Sequence, residues 1–355
     1  MELGILGFPK AGKTTLFNTL TASHQATDKY ATSSQTNMGT AQVRDPRLET
    51  LRDLFKPKRY VPATVQYVDI PGITKGESAE SLDLAKLKMV DALVHVVRAF
   101  DDPEILHPEG SVDPARDVAT VDLELILADH TIVEGRLERL EKATKRGLNP
   151  EEQRERQILS EIVLPALEAE KPLREVELDP EDEKRLRGFQ LLSAKPVLIV
   201  VNADESRAAE TPEAFGIQSR PAVRAVTVSA PIEAEISTLS PEEQKEFLAD
   251  LGLAEPSLSR VTRASYDLLG VISFFTVGED EVRAWTIRRG TRAREAAGAI
   301  HSDIERGFIR AEVVEWDELL KQGSIAACRN AGSLRLEGKE YEVKDGEVIH
   351  FRFAI

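Results

Sequence analysis

The chain opens with short, unbroken apolar runs. Residues 3–6, 61–70 and 91–98 read as strands, and residues 15–20 and 82–90 as helices. Strands alternating with helices predict a mainly parallel sheet with crossover connections. The period changes near Val121, where Leu123, Ile126, Leu127, Ile132, Val133, Leu137 and Leu140 fall mostly at three- and four-residue steps with charges between them. Arg146-Gly147-Leu148-Asn149-Pro150 breaks this pattern, and Ile158, Leu159, Ile162, Val163 and Leu167 resume it. The expectation is an antiparallel helical hairpin standing out from the sheet, ended by Pro172 and an acidic loop over residues 177–183. The sheet resumes at residues 196–202, and residues 226–230 supply its last strand. From Ser273 the texture shifts to short β-like runs at 274–277, 281–287, 309–314, 333–336, 341–343 and 348–353, with one helix at 293–300. No internal repeat or low-complexity tract interrupts this order.

Composition narrows the class. The 355 residues suit about two or three domains. The formal net charge is −15, so the whole molecule is not built to envelop nucleic acid, and RNA contact must come from local basic surface. The single cysteine, Cys328, excludes an intrachain disulfide framework and a cysteine-rich zinc site, and fits a reducing compartment. The first residues enter a strand directly, and no apolar run reaches the ~18–20 residues of a membrane span. A soluble cytoplasmic protein is expected.

The candidate chemistry begins at Gly7-Phe8-Pro9-Lys10-Ala11-Gly12-Lys13-Thr14, a complete G-x-x-x-x-G-K-[ST] phosphate loop between a strand and a helix. Gly7 and Gly12 let backbone N–H groups turn toward a polyphosphate. Lys13 brings a cation to the terminal phosphates, and the Thr14 hydroxyl suits Mg²⁺. The helix that includes Thr15 points its positive end at the anion. Asp69, after an apolar strand, suits the Mg²⁺ shell, and Gly72 can bring an N–H to the γ-phosphate. Ile73 follows where many GTPases place a water-orienting glutamine, so slow turnover is expected. In the first switch, residues 30–39, any of several hydroxyls could reach Mg²⁺; Ser33 and Thr36 are favoured. For the base, Asn202-Ala203-Asp204-Glu205 stands where GTPases carry Asn-Lys-x-Asp. The acid is one methylene longer and the lysine is absent, which weakens guanine recognition. An asparagine amide suits an adenine edge. Asp204 swinging in is an alternative register. Ser229 and Ala230 complete the expected nucleotide-binding set.

At these residues the chain resembles the YchF / Obg-like ATPases, odd members of the translation-factor GTPase class. The resemblance covers nearly the whole chain. It includes residues 7–14 with Leu16-Phe17-Asn18, Asp45-Pro46-Arg47-Leu48, Val68-Asp69-Ile70-Pro71-Gly72, His95-Val96-Val97-Arg98 and Asn202-x-x-Glu205. Most specific are Glu281-Val282-Arg283-Ala284-Trp285-Thr286-Ile287, then Gly298, Ile300-His301, Asp303, residues 305–312 and residues 344–351. The resemblance implies an α/β phosphate-loop NTPase G domain (1–120 and 189–272) with an inserted α-helical coiled-coil hairpin (121–188). A C-terminal α+β TGS domain of β-grasp type (273–355) follows. It also implies ATP preferred over GTP through Asn202 and Glu205, Mg²⁺-dependent hydrolysis, and binding to the ribosome, as its large subunit or whole. A hydrophobic residue in place of the catalytic glutamine is a family trait that falls on Ile73.

Three departures stand out. The family's phosphate-loop asparagine is Lys10. The second-switch segment after Gly76 is short and lacks most of the family's glycines. Ala99 stands where a cysteine is common, which argues against the thiol regulation of some relatives. Lys10 matters most. In related hydrolases lacking the glutamine, that asparagine helps hold K⁺ beside the phosphates. Lys10 either supplies a tethered ammonium as a second catalytic cation with Lys13, or is a solvated loop residue.

Two basic patches are expected to meet rRNA: Arg283, Arg288, Arg289, Arg292 and Arg294 around Trp285, and Lys142, Lys145 and Arg146 at the hairpin tip. The bland reading puts Trp285 in the core. His95 reads as a packing residue within an apolar strand, and His301 receives no chemical role. No DNA or membrane partner is expected, and the chain is expected to be a monomer. The leading expectation is a slow Mg²⁺-dependent ATPase acting as a nucleotide-controlled switch in translation. The alternatives are a GTPase of the same design, or a ribosome-binding scaffold that holds nucleotide with negligible turnover.

Overall fold

The computed structural model describes residues 1–21, 37–70, 84–144 and 147–354. The described chain divides into two compact units, Met1–Ala41 with Gln66–Ala264, and Gln42–Val65 with Ser265–Ile355.

The first unit is built on strands β1 (Glu2–Leu6), β2 (Asn37–Gln42), β4 (Thr64–Asp69), β5 (Ala92–Ala99), β6 (Val197–Ala203) and β7 (Val223–Val228), in the order β2-β4-β1-β5-β6-β7. The neighbours from β4 through β7 pair in parallel. Every residue of β5 and β6 is buried, as expected of parallel strands covered on both faces. Helix α1 (Lys13–Thr21) follows β1 directly, and α3 (Leu84–Met89) precedes β5. Helices α8 (Ala230–Ile236), α9 (Pro241–Asp250) and α10 (Ser257–Leu268) follow β7.

The helical hairpin is present and longer than expected at its root. Its first arm, α4 (Pro114–Thr144), has 31 residues and is about 46 Å long. It starts at Pro114 rather than Val121: residues 114–120 carry a single large apolar side chain, Val118, too few to show a period, although Val118 and Val121 pack into the core of the sheet. The second arm is α5 (Pro150–Ile158), a π-helical turn over Leu159–Val163, and α6 (Leu164–Glu168). Asn149 starts that arm: its side chain accepts from Glu152 N, Glu152 returns the bond, and Pro150 fits the first turn. Ile126, Val133 and Leu140 pack against Ile158, Leu159, Val163 and Leu167. At the root, Asp129 accepts from Leu192 N, Ser193 N and Ser193 Oγ at 2.6–2.8 Å. The expected acidic loop is instead largely α7 (Pro180–Leu186), because Asp179 caps it and Pro180 fits its first turn.

The second unit holds β3 (Arg59–Val61), β8 (Val271–Thr276), β9 (Glu281–Arg288), β10 (Phe308–Glu315), β11 (Arg335–Glu337) and β12 (Glu347–Phe353), in the order β11-β10-β12-β8-β9-β3. Residues 42–65, expected within the first stretch of the nucleotide domain, belong here. The single strand expected over 61–70 is two strands in two different sheets, and Pro62, which cannot donate to a ladder, lies at the break. Helix α2 (Pro46–Phe55) starts at Asp45, whose side chain accepts from Arg47 N. Arg47 also donates to Asp345 at 2.8 Å, with its guanidinium 5.4 Å from the Phe275 ring centroid. Two motifs far apart in sequence thus form one structural joint. A Cβ on Gly346 would lie 2.6 Å from Arg47 Nη1. Helices α11 (Ala293–Ile300), α12 (Ser302–Arg306), α13 (Trp316–Gln322) and α14 (Ile325–Ala331) complete the unit. Ala293, Ala296 and Ala297 of α11 join Phe274, Ala311, Val313 and Phe351 in its core. The run at 341–343 forms an isolated bridge, Arg292 with Glu342, rather than a strand.

Candidate nucleotide-binding site

The site lies at the carboxyl ends of β1, β4, β6 and β7, where parallel sheets of this kind collect ligands. Gly7 opens the phosphate loop after β1, Asp69 is the last residue of β4, Asn202 and Ala203 close β6, and Ser229 follows β7. Gly7 and Gly12 have φ of 140° and 99°, backbone that side chains avoid. A Cβ on Gly7 would approach Val96 O to 2.3 Å, and one on Gly12 would approach Asn202 Nδ2 to 2.3 Å. Phe8 and Ala11 are buried, and Pro9 and Lys10 are half-buried. Lys10 has φ 64°, a left-handed conformation that costs a non-glycine residue roughly 1–2 kcal/mol.

Lys13, the first residue of α1, is buried and donates to Gly7 O at 3.0 Å and Phe8 O at 2.8 Å. Burial pulls its pKa down to about 8 from 10.5, against the opposing pull of Asp69. Thr14 Oγ1 donates to Asp69 Oδ2 at 3.1 Å. Burial raises the Asp69 pKa, while Thr14 and Lys13 oppose the shift. Thr15 is half-buried in the first turn of α1. Gly72, Ile73, Ser33 and Thr36 lie outside the described residues.

Asn202 is buried, and its amide is used on backbone: Nδ2 donates to Ala11 O at 3.1 Å, and Oδ1 accepts from Ala230 N at 3.1 Å. It pins the phosphate loop to the start of α8. Ala203 is buried, whereas Glu205 is exposed in a short turn over Glu205–Arg207. Asp204 Oδ2 accepts from Asp101 N at 3.4 Å. Ser229 Oγ is buried with no hydrogen-bond partner.

A neighbouring group has no local sequence signal. His107 and Asp117 are both buried, with Nε2 and Oδ2 facing at 2.9 Å outside hydrogen-bond alignment. His107 Nδ1 accepts from Glu109 N, and Arg116 donates to the other Asp117 oxygen at 2.8 Å. The imidazole stands edge-on to Phe8, 6.1 Å between centroids. The loop carrying it is held by Arg98, which donates to the carbonyls of Phe100, Asp102 and Ile105. His95 is a packing residue: burial, with Arg174 and Lys13 nearby, pulls its pKa down to about 3, so it is neutral.

The expected arginine patch is partly neutralised. Arg283 lies 4.0 Å over the Trp285 ring and 3.9 Å from Glu281, and Arg292 pairs with Glu340. Trp285 is half-buried, stacks on Phe274 at 6.5 Å, and donates to Thr276 Oγ1. Lys142 lies 3.7 Å from Glu138, and Lys145 and Arg146 are outside the described residues. Among the described residues no helix is long and apolar enough to cross a membrane.

Two family models match the chain. One, described as a 50S ribosome-binding GTPase, matches residues 2–134. The other, YchF-GTPase_C, described as a protein of unknown function (DUF933), matches residues 271–354. The Ribosome-binding ATPase YchF of Bacillus subtilis is 44% identical over 100% of both chains. Obg-like ATPase 1 of Rattus norvegicus is 34% identical over 99% of this chain and 92% of its own. The structure of the Schizosaccharomyces pombe YchF GTPase matches with a TM-score of 0.85 at 35% identity, covering 99% of this chain and 97% of that one. With full-length identity at this level, and a phosphate loop, Asp69 and Asn202 converging on one set of strand ends, the chain belongs to the YchF family.

Proposed function

We propose that the protein is a ribosome-associated, Mg²⁺-dependent ATP hydrolase that works as a nucleotide-controlled switch in translation. The observation that carries the nucleotide part is the joint held by Asn202, which fixes the phosphate loop against the turn at Ser229 and Ala230. The ribosome part rests on the relatives' names. The hairpin is read as a coiled-coil arm and the C-terminal unit as a TGS domain of β-grasp type.

Thr14 Oγ1 and Asp69 Oδ2 are hard oxygen donors side by side, and they suit Mg²⁺, which takes few protein ligands and keeps phosphates and water. When bound, the ion offsets charge on the β- and γ-phosphate oxygens. The chain's own groups do the rest. Lys13 exchanges its two loop carbonyls for phosphate oxygens. The loop N–H groups and the α1 N-terminus hold the polyphosphate.

Adenine preference rests on Asn202, whose Nδ2 keeps a second N–H beyond the one given to Ala11 O, and on three further features: the missing lysine at Ala203, an exposed Glu205 too long for the guanine geometry, and the unpartnered Ser229 hydroxyl beside the pocket. Calorimetric titration of the purified chain is expected to give at least tenfold tighter binding for ADP than for GDP. Ala203→Lys with Glu205→Asp is expected to reverse the order. Tighter GDP binding by the parent protein would make it a GTPase of the same design.

Lys10 is proposed as a tethered ammonium that replaces a monovalent cation beside the phosphates. Asparagine tolerates the left-handed backbone that Lys10 adopts, so Lys10→Asn tests the charge without breaking the loop. Hydrolysis by the parent protein is expected to run at equal rates in Na⁺ and K⁺, and hydrolysis by Lys10→Asn to require K⁺. A parent protein that needs K⁺ refutes this role.

A further inference from the structure

The C-terminal unit holds a cavity that the nucleotide chemistry does not use. Strand β8 ends at Thr276, while β12, after pairing at Val348↔Phe275, runs on to Phe353. Among the described residues no strand covers that side of the end of β12. A cleft of about 440 Å³ opens there, within the size range of small-molecule pockets. Its apolar lining includes Ile304 of α12, Ile325 of α14, Leu334 just before β11, and Val348 and Phe353 of β12. Ile304, Ile325 and Leu334 are only half-buried, and Phe353 is 41% exposed. Apolar surface gathered from four elements is thus left to water, and a ligand that covers it gains the burial.

The charged groups of the cleft set the sign of that ligand. Glu312 is the one acid among the lining residues, and it is buried. Arg329 Nη2 donates to its Oε1 at 2.9 Å, His350 Nδ1 donates to its Oε2 at 3.0 Å, and the Arg352 guanidinium donates to the same carboxylate. Burial alone would raise the Glu312 pKa, but these donors together hold it below the ordinary value, so the acid stays charged. One negative charge is shared by two guanidinium groups, which leaves a positive surplus in either state of His350. Arg329 and His350 keep 56% and 72% of their side-chain surface exposed. Among the described residues Arg329 spends one of its five N–H donors on Glu312. Glu312 therefore orients Arg329 at the cleft and leaves donors free for a second anion.

We propose that this cleft binds a small amphipathic anion, an apolar chain ended by a carboxylate. The chain lies along Ile304, Ile325, Leu334 and Phe353, and the head takes the remaining N–H groups of Arg329. The site stands independently of the nucleotide and ribosome readings. The test is calorimetric titration of the full-length chain with octanoate, octylamine and octan-1-ol, which share a tail and differ in the head. Octanoate is expected to bind at least tenfold more tightly than the other two. Each buried methylene is worth about fourfold in affinity, so hexanoate is expected to bind about fifteenfold more weakly than octanoate. Arg329→Gln is expected to weaken octanoate about tenfold and to leave octan-1-ol unchanged, with ATP hydrolysis as in the parent protein. Glu312 keeps His350 and Arg352 in that variant. The order of the three octyl compounds on the parent protein is a test that needs no variant. Absence of octanoate binding overturns the proposal, as does equal affinity for octanoate and octylamine. Octanoate affinity unchanged in Arg329→Gln overturns it too, because the head would then lie elsewhere. A dimer in sedimentation equilibrium that Phe353→Glu dissociates would place a second copy of the chain in the cleft, and this also overturns it.

Discussion

Asn202→Ala is expected to cost about 2–4 kcal/mol of stability and to weaken ATP binding by about a hundredfold, although the residue need not touch the nucleotide. The amide makes two buried hydrogen bonds to backbone, one to the phosphate loop at Ala11 and one to the first residue of α8 at Ala230. Truncation leaves a buried carbonyl and a buried N–H without partners, each worth roughly 1–3 kcal/mol. The same truncation unlocks Gly12, whose close approach to Nδ2 leaves no room for a side chain. A loop free to relax must be ordered again on binding, and that ordering is taken from affinity. Urea unfolding gives the stability change, and calorimetry gives the affinity. Asn202→Asp separates the two halves of the joint: the carboxylate still accepts from Ala230 N but cannot donate to Ala11 O, so an intermediate loss is expected. An Asn202→Ala protein with parental affinity would show that the joint does not organise the site.

What could be read from the sequence follows from how far each interaction reaches along the chain. The phosphate loop, Asp69, and the strand that carries Asn202 are local patterns, and the structure gathers all three at one set of strand ends. The hairpin was legible because its periodicity and the Asn149-Pro150 start are local as well. The joint that Asn202 makes was not legible, because its partners lie at Ala11 and Ala230 and are backbone groups with no side-chain signature. His107 was missed for the same reason: its meaning comes from Phe8 and Asp117, not from its neighbours in sequence. The placement of residues 42–65 depended on Arg47 meeting Asp345 and on β3 pairing with β9. The arginines at 283–294 were conspicuous by proximity, yet antiparallel pairing brought Arg310 and Arg352 together from different segments.

Lys13→Met is expected to reduce ATP hydrolysis by about a thousandfold and to weaken stabilisation of the protein by nucleotide. Methionine keeps most of the buried stem, so the loss reports the ammonium. In the free protein this ammonium is satisfied by Gly7 O and Phe8 O, and burial has already lowered its pKa to about 8. Polyphosphate stabilises the charged form and so raises that pKa in the complex. The sign follows by linkage. Well below pH 8 the lysine is charged in both states, and ATP binding moves no proton through it. As pH rises through about 8, the free protein loses the charge while the complex keeps it, so binding takes up close to one proton and affinity falls toward tenfold per pH unit. Calorimetry at about pH 9 in buffers of different ionisation heat is therefore expected to show proton uptake in the parent protein and none in Lys13→Met. A loss of hydrolysis that left proton uptake in place would assign the titrating group elsewhere. Affinity independent of pH up to about 10 would show that the lysine keeps its charge at the loop carbonyls without help from the phosphates.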